Sequence, residues 1–244
     1  MCHPWLAAGV TGLIGVLVVR ELAPVLVPDS DAARDADATT GFLGGAVRVW
    51  FRRRVDPLVE TLLAVGVGAN AVTAVQLVIS VLCGIAYGAG WVFTAGWLLL
   101  TGGALDVIDG GLARRGGAAG PRGAFVDSVV DRYGECAVFF GLAVLFRDGW
   151  AHWAVLAAFF GAVMVSYTRA RAEGLGVDCR VGLMQRPERY VVLGGGSMFS
   201  ALAAHLVCAQ APRHALLVAS IVIVALLANV TALQRAAHAV RRLS

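Results

Sequence analysis

The chain has 244 residues, of which 59% are hydrophobic and only 15% charged, and its mean hydropathy is +0.76. Soluble domains carry about a quarter charged residues, so the composition excludes an ordinary soluble domain and indicates an integral membrane protein. The net charge of +4 arises from 20 basic residues, all of them arginine, and no nucleic-acid partner is expected. The five cysteines are scattered without C-x-x-C spacing, which predicts neither a disulfide framework nor a zinc site.

The first apolar segment, residues 1–27, is predicted to be an uncleaved N-terminal transmembrane helix. A positive residue, Arg20, follows its apolar core, whereas a secretory signal peptide has positive charge before the core. A hydrophobic helix lying on the membrane surface is the alternative. Residues 28–45 are polar and predict a solvated linker.

Residues 46–64 are predicted to form an interfacial amphipathic helix. Its apolar residues recur at helical spacing: Val47, Trp50, Phe51, Val55, Leu58 and Leu62. The opposite face is polar and largely basic: Arg48, Arg52, Arg53, Asp56 and Glu60. Such a face suits anionic lipid headgroups, although a solvated charged face is the alternative.

Residues 65–244 are predicted to be one transmembrane domain, with spans at approximately 68–89, 92–112, 122–146, 150–172, 188–210 and 214–236. Helices are expected because lipid offers no water to satisfy the backbone. The predicted fold is therefore all-α: a polytopic transmembrane bundle of six core helices, with the extra N-terminal helix and the interfacial helix. Gly84 and Gly88 form a G-x-x-x-G, which marks either a close helix crossing or the face of a possible homodimer.

The distribution of arginine predicts the orientation, because positive residues collect on the cytoplasmic side of a cell-membrane protein. The arginines at one end of the spans are Arg48, Arg52, Arg53, Arg54, Arg114, Arg115, Arg122, Arg169, Arg171, Arg180, Arg186, Arg189, Arg235, Arg241 and Arg242. The other loops hold only Arg147 and Arg213. The aspartate-rich loop described next is thus expected to face the cytoplasm, with the N-terminus outside.

Four aspartates lie in sequence that is otherwise apolar enough for a bilayer, where ionisable residues are costly and usually functional. Asp106 and Asp109 are three residues apart and Asp127 and Asp131 four apart, so each pair shares one helix face. A Gly/Pro loop at 115–122 allows the two helices to pack side by side. Four converging carboxylates would repel one another unless neutralised, and hard oxygen ligands favour Mg²⁺, Mn²⁺ or Ca²⁺ over zinc. The alternative is that these charges only pair with neighbours, namely Arg114, Arg132 or Glu135.

This stretch resembles the signature of the CDP-alcohol phosphotransferase family, D-x2-D-G-x2-A-R-x8-G-x3-D-x3-D. Every fixed position is matched, in the order Asp106, Asp109, Gly110, Ala113, Arg114, Gly123, Asp127 and Asp131. The resemblance implies four ligands for two Mg²⁺ or Mn²⁺ ions, namely Asp106, Asp109, Asp127 and Asp131. It implies a CDP-binding set of Asp109, Gly110, Ala113 and Arg114. It also makes Asp131 the general base that activates an alcohol, which attacks a CDP-linked lipid and releases CMP.

An arginine-dense segment near the cytoplasmic mouth, residues 166–189, suits a phosphorylated acceptor better than a neutral alcohol. Here the chain resembles the phosphatidylinositol phosphate synthases, which use inositol phosphate as acceptor. That resemblance implies five acceptor-phosphate residues: Ser166, Arg169, Arg171, Arg189 and Arg235. Two positions depart from the usual pattern, since Arg169 stands where Lys is common and Ala69 where Pro is common. Asn70 and Thr73 nearby either line the site or cap a helix.

Several functions remain open at this point. Within the family, glycerol 3-phosphate as acceptor would need the same metals and a similar phosphate clamp, and a neutral acceptor such as serine ranks third. Outside the family, the carboxylates could form an ion or proton pathway, but such pathways spread acidic groups across the bilayer, whereas these cluster at one end of two helices. A scaffold without metal-dependent activity is the remaining alternative.

Overall fold

A computed structural model describes residues 44–117, 120–206 and 214–243 of the chain. The N-terminal helix predicted for residues 1–27 lies outside these described residues, as does the predicted linker up to residue 43. Across the described ranges the secondary structure is entirely helical, which confirms the all-α class.

The described residues form seven helices: α1 (Gly44–Ala64), α2 (Ala69–Gly88), α3 (Val92–Arg115), α4 (Pro121–Leu145), α5 (Ala151–Glu173), α6 (Arg186–Leu206) and α7 (Ala215–Leu243). Four of them, α2, α3, α5 and α7, are long and apolar enough to cross a membrane. Helices α4 and α6 coincide with the other two predicted spans and are less apolar, because they carry buried ionisable residues, among them Asp131, Glu135 and Arg189. The chain is a helical membrane protein.

Helices α2 to α7 enclose the main apolar core. Helix α2 packs on α3 and α4, α6 packs on α3 and α7, and α5 packs on α7. Large side chains such as Tyr87, Leu142, Leu193 and Ile221 are fully buried between these helices. A smaller apolar cluster that includes Val59 and Leu112 holds α1 against the end of α3. Helix α1 therefore lies beside the part of the bundle where the aspartates are found.

Helices α2 and α4 cross in backbone contact at two glycines. A Cβ at Gly84 would overlap the carbonyl oxygen of Ala137, and a Cβ at Gly141 would overlap the carbonyl oxygen of Gly84. A Cβ at Gly88 would meet the Val144 side chain at ordinary contact distances, with Cγ1 at 3.7 Å and Cβ at 3.8 Å. The first glycine of the predicted G-x-x-x-G thus marks a close helix crossing within the chain.

The loop of residues 174–185 leads into α6 and is fastened to α7. The backbone N–H of Met184 donates to Thr231 Oγ1 at 3.1 Å, and Arg235 Nε donates to the Val181 carbonyl at 2.8 Å. Gly182 has a φ of 113°, and a Cβ there would overlap the Thr231 side chain, so this position requires glycine. These contacts fix the position at which α6 begins.

Candidate metal centre and arginine cluster

Three of the four predicted aspartates converge at the junction of α3 and α4. Asp106 and Asp109 lie on α3, one helical turn apart, and Asp127 lies in the second turn of α4. One carboxylate oxygen from each residue lies within 4.8 Å of the others. The short connection between the two helices brings them together, as the Gly/Pro loop predicts.

The chemistry of these residues fits a divalent cation. All the donors are carboxylate oxygens, the ligands that hard cations prefer. Asp127 Oδ1 is buried and has no hydrogen-bond partner among the residues that the structure describes. Three like charges this close require a cation or protons to neutralise them. The cluster is therefore capable of binding metal.

Thr73 orients one of the carboxylates. Its hydroxyl donates to Asp109 Oδ2 at 2.9 Å, across the contact between α2 and α3. Hydrogen bonds from a second layer commonly fix the direction of a metal ligand. Thr73 is buried and its hydroxyl bonds a side chain at the site, whereas Asn70 is exposed.

Asp131 lies one turn beyond Asp127 on α4 and is held by two side chains, one neutral and one positively charged. Gln76 Nε2 donates to Asp131 Oδ1 at 3.1 Å, and the Arg186 guanidinium forms an ion pair with Asp131 Oδ2. Arg186 also donates to Asp106 Oδ1 at 2.7 Å. Asp131 is not part of the group of three oxygens defined above, and it is joined to Asp106 through Arg186.

Sequence reasoning missed both partners of Asp131. Gln76 follows Thr73 by three residues, so the two share a face of α2, and that spacing was a usable signal. Arg186 precedes Pro187, and proline in the first helical turn is a sign of a helix start. It stacks over the Tyr190 ring at 5.0 Å and donates to the Tyr190 hydroxyl at 2.9 Å, which aims the guanidinium at the carboxylates.

A cavity of about 590 Å³ opens on the carboxylates. Three of the four residues predicted to bind CDP, Asp109, Gly110 and Arg114, are among those that line it, and Ala113 is not. The remaining wall comes largely from α1 and α6: Val47, Arg48, Trp50, Phe51, Arg52, Pro187, Tyr190 and Val191. Arg114 is exposed and has no ion pair with any described residue, so its charge is available to a ligand.

The predicted acceptor residues Ser166 and Arg189 belong to one network between α4, α5 and α6. Arg189 is 1% exposed and donates to Glu135 Oε1 through Nε at 2.8 Å and Nη2 at 2.5 Å. Arg132 donates to the other oxygen of Glu135 at 3.1 Å and also to Ser166 Oγ. In this structure the charge of Arg189 is therefore neutralised by Glu135.

The three other predicted acceptor arginines differ in exposure. Arg235 is buried and donates to the Val165 carbonyl at 2.7 Å, beside Ser166, and it lies within electrostatic range of Arg169 and Arg189. Arg169 is exposed and pairs with Glu173 at 2.8 Å. Arg171 is exposed and makes no ion pair with a described residue. The structure thus brings Ser166, Arg169, Arg189 and Arg235 to one region and leaves Arg171 at the surface.

The fold and the site together define a helical membrane protein with a carboxylate centre suited to a divalent cation. The sequence profile described as CDP-alcohol phosphatidyltransferase matches residues 67–241, so the chain belongs to this family and is a transferase. The resemblance carried by the aspartate signature is confirmed.

Two relatives of the chain are named as synthases of an inositol phosphate lipid. The chain is 31% identical over 192 residues to an archaetidylinositol phosphate synthase of Methanothermobacter thermautotrophicus, covering 79% of this chain and 91% of that protein. It is 32% identical over 151 residues to a phosphatidylinositol phosphate synthase of Cutibacterium acnes, covering 59% and 72%.

Solved structures of a relative share the fold. The crystal structure of the phosphatidylinositol phosphate synthase of Mycobacterium tuberculosis with CDP-DAG bound has a TM-score of 0.66 and 27% identity, covering 77% of this chain and 94% of that chain. A second structure of that synthase, in complex with manganese and citrate, has a TM-score of 0.65 and 26% identity, covering 75% and 87%.

Proposed function

We propose that this chain transfers a phosphatidyl group, or the equivalent group of a related CDP-lipid, from CDP-diacylglycerol to inositol phosphate, and so acts in phospholipid biosynthesis. The acceptor hydroxyl oxygen bonds to the lipid-side phosphorus, the bond from that phosphorus to the bridging oxygen breaks, and CMP leaves with the electron pair. The observation that carries the proposal is the serine and arginine cluster on α5, α6 and α7, next to the carboxylate centre. The names of the relatives support the same acceptor.

We propose that two Mg²⁺ or Mn²⁺ ions bind at Asp106, Asp109, Asp127 and Asp131. Two observations support this ligand set: three of these carboxylates converge, and Asp127 Oδ1 is buried without a hydrogen-bond partner in the part of the chain that the structure describes. Divalent ions held by these carboxylates would supply positive charge to stabilise the negative charge that develops in the displacement. For Asp131 to serve as ligand and as general base for the acceptor hydroxyl, Arg186 must release it.

The cavity supports a site for the CDP-lipid. Asp109, Gly110, Ala113 and Arg114 are the proposed CDP-binding residues, and Arg114, which forms no ion pair within the described ranges, suits the diphosphate. The wall contributed by α1 combines two arginines, Arg48 and Arg52, with apolar side chains, of which Trp50 and Phe51 are the largest. These apolar side chains suit the part of the donor that is continuous with the bilayer.

For the acceptor phosphate we propose Ser166, Arg169, Arg171, Arg189 and Arg235, and we add Arg186. Arg186 bonds two of the carboxylates directly and precedes Arg189 by three residues on α6, so it is well placed at the point where donor and acceptor would meet. Once cations neutralise Asp106 and Asp131, its guanidinium is free to turn to a phosphate, which it can grip with two N–H donors.

We also propose the arrangement of the whole chain in the membrane. Residues 65–244 form a six-span transferase domain, residues 46–64 an interfacial helix and residues 1–27 a further span, with the site facing the cytoplasm and a possible homodimer in the membrane. A cysteine at Leu175, beyond the end of α5, should react with an impermeant maleimide only in inside-out vesicles of a cysteine-free variant. A cysteine at Asp148, at the opposite end of α5, should react only in right-side-out vesicles, and the reverse result would invert the topology.

The activity is tested by CMP release from purified protein with Mn²⁺ or Mg²⁺. The donors are CDP-diacylglycerol and its archaeol-type counterpart, because relatives are named for both types of lipid. The acceptors, offered separately, are inositol phosphate, glycerol 3-phosphate, serine and water alone. We expect CMP release above the water control with inositol phosphate. Release with glycerol 3-phosphate but not with inositol phosphate would reject the acceptor, and no release with any acceptor would reject the transferase reaction.

A further inference from the structure

We propose that Arg48 of the interfacial helix α1 is a positioning residue, which acts through Glu188 to hold Arg186 at the carboxylates. The proposal rests on the proposed function, because its kinetic consequence concerns the phosphorylated acceptor. It assigns α1 a part in acceptor binding beyond that of a membrane anchor.

The pair joins two distant parts of the chain inside the bundle. Arg48 Nη2 lies 2.5 Å from Glu188 Oε1, and Arg48 Nη1 donates to Gln185 Oε1 at 3.4 Å. Glu188 is fully buried, whereas the Arg48 side chain is 20% exposed. One guanidinium therefore bonds the residue before α6 and the first turn of α6 itself.

The first turn of α6 carries three ionisable residues, and no two of them share a partner. Arg186 bonds Asp106 and Asp131, Glu188 bonds Arg48, and Arg189 bonds Glu135. The turn is thus held from three sides, by α3, α4 and α1. Because its residues share one rigid helical backbone, the position of Glu188 also determines that of Arg186.

The pair is needed because nothing else that the structure describes neutralises Glu188. Its second oxygen, Oε2, is buried without a hydrogen-bond partner among the described residues. A buried carboxylate that loses its only counter-charge is strongly unfavourable, so it would move towards water or another cation. We expect the first turn of α6 to shift without Arg48, and Arg186 to withdraw from the carboxylates with it.

The test compares Arg48→Ala with Arg53→Ala, an exposed arginine of the same helix that has no ion pair with any described residue. We expect Arg48→Ala to raise the KM for inositol phosphate about tenfold, in the range of coupling between contacting residues. Because Arg48 also lines the donor cavity, the KM for the CDP-lipid should rise too, but by a smaller factor. Arg53→Ala should alter neither. A double variant, Arg48→Ala with Glu188→Gln, should be no worse than Arg48→Ala alone. Equal effects on both KM values, or additive losses in the double variant, would overturn the proposal.

Mn²⁺ binding, measured by electron paramagnetic resonance without either substrate, separates this proposal from the proposed function. If Arg186 withdraws in Arg48→Ala, the carboxylates lose a competing cation and Mn²⁺ should bind more tightly. A general loss of folding would weaken binding, and unchanged binding would contradict the withdrawal even if the acceptor proves to be a different phosphate.

Should Arg48→Ala fail to fold, the exchanged pair Arg48→Glu with Glu188→Arg restores the charges and should recover the acceptor KM. Failure of that exchange to recover it would also overturn the proposal.

Discussion

Arg189 directs two of its donors, Nε at 2.8 Å and Nη2 at 2.5 Å, to a single oxygen of Glu135. Both side chains are almost completely buried, and the contact joins α6 to α4. Through Arg132, which bonds the other Glu135 oxygen, the contact extends to Ser166 on α5. A residue predicted for acceptor binding therefore also holds three helices together.

Arg189→Ala is expected to impair stability and acceptor binding together. Removing one partner of a buried ion pair costs about 3–5 kcal/mol, because the remaining charge is left uncompensated. The temperature at which half of the detergent-solubilised protein is lost from its gel-filtration peak should fall. Arg122→Ala, at an exposed position without an ion pair to described residues, is the control and should not lower it. In material that remains folded, the KM for the acceptor should rise more than that for the CDP-lipid, and equal rises would argue against a role in the acceptor pocket.

Asp131→Asn should abolish CMP release while it leaves CDP-lipid binding largely intact. The amide keeps the size of the side chain and removes its capacity to accept a proton from the acceptor hydroxyl. Turnover and donor binding are measured on the same preparation, with the exposed Asp148→Asn as the matched control. Turnover equal to that of the unmodified protein would exclude Asp131 as the base.

Thr73→Val should weaken the binding of Mn²⁺ about tenfold, since hydrogen bonds to metal ligands commonly contribute 10- to 100-fold to affinity. Valine keeps the shape of threonine but removes the donor to Asp109 Oδ2. Thr61→Val is the control, because the Thr61 hydroxyl donates to the Pro57 carbonyl on the exposed face of α1 and bonds no aspartate among the described residues. The same Mn²⁺ affinity in both variants would show that Asp109 is positioned without Thr73.

Gly84→Ala should destabilise the bundle, and Gly88→Ala should not. The first substitution forces a methyl group into the backbone of α4, and overpacking of this kind costs about 1–3 kcal/mol or more. The second adds a methyl group at an ordinary contact distance from Val144. Thermal loss of the gel-filtration peak measures both. Equal tolerance of the two alanines would mean that the helices can separate at the crossing.

The convergence of Asp106, Asp109 and Asp127 could be predicted from the sequence, because helical periodicity and a short loop determine it locally. The all-α class followed from composition and the need to satisfy the backbone in lipid. Whether Gly84 marks an internal helix crossing or a dimer face could not be decided from the sequence, because a small-residue spacing fits both equally well.

The arginines were harder to predict because their directions depend on long-range packing. Arg186 and Arg189 are three residues apart, yet one bonds Asp106 and Asp131 and the other bonds Glu135. Which arginine bonds which carboxylate depends on how the 174–185 loop is fastened to α7 through Thr231 and Arg235. The pair of Arg48 and Glu188 joins residues 140 positions apart, and neither spacing nor composition signals it.

The backbone contact at Gly84 and Gly141 restricts how this transferase can move. Helices α2 and α4 cannot slide past each other there, because each carbonyl occupies the space that a sliding partner would need. Gln76 and Asp131, which are hydrogen-bonded across these two helices, are therefore expected to keep their relative positions during turnover. Movement that admits the acceptor or releases CMP is therefore expected in the helices that take no part in this crossing.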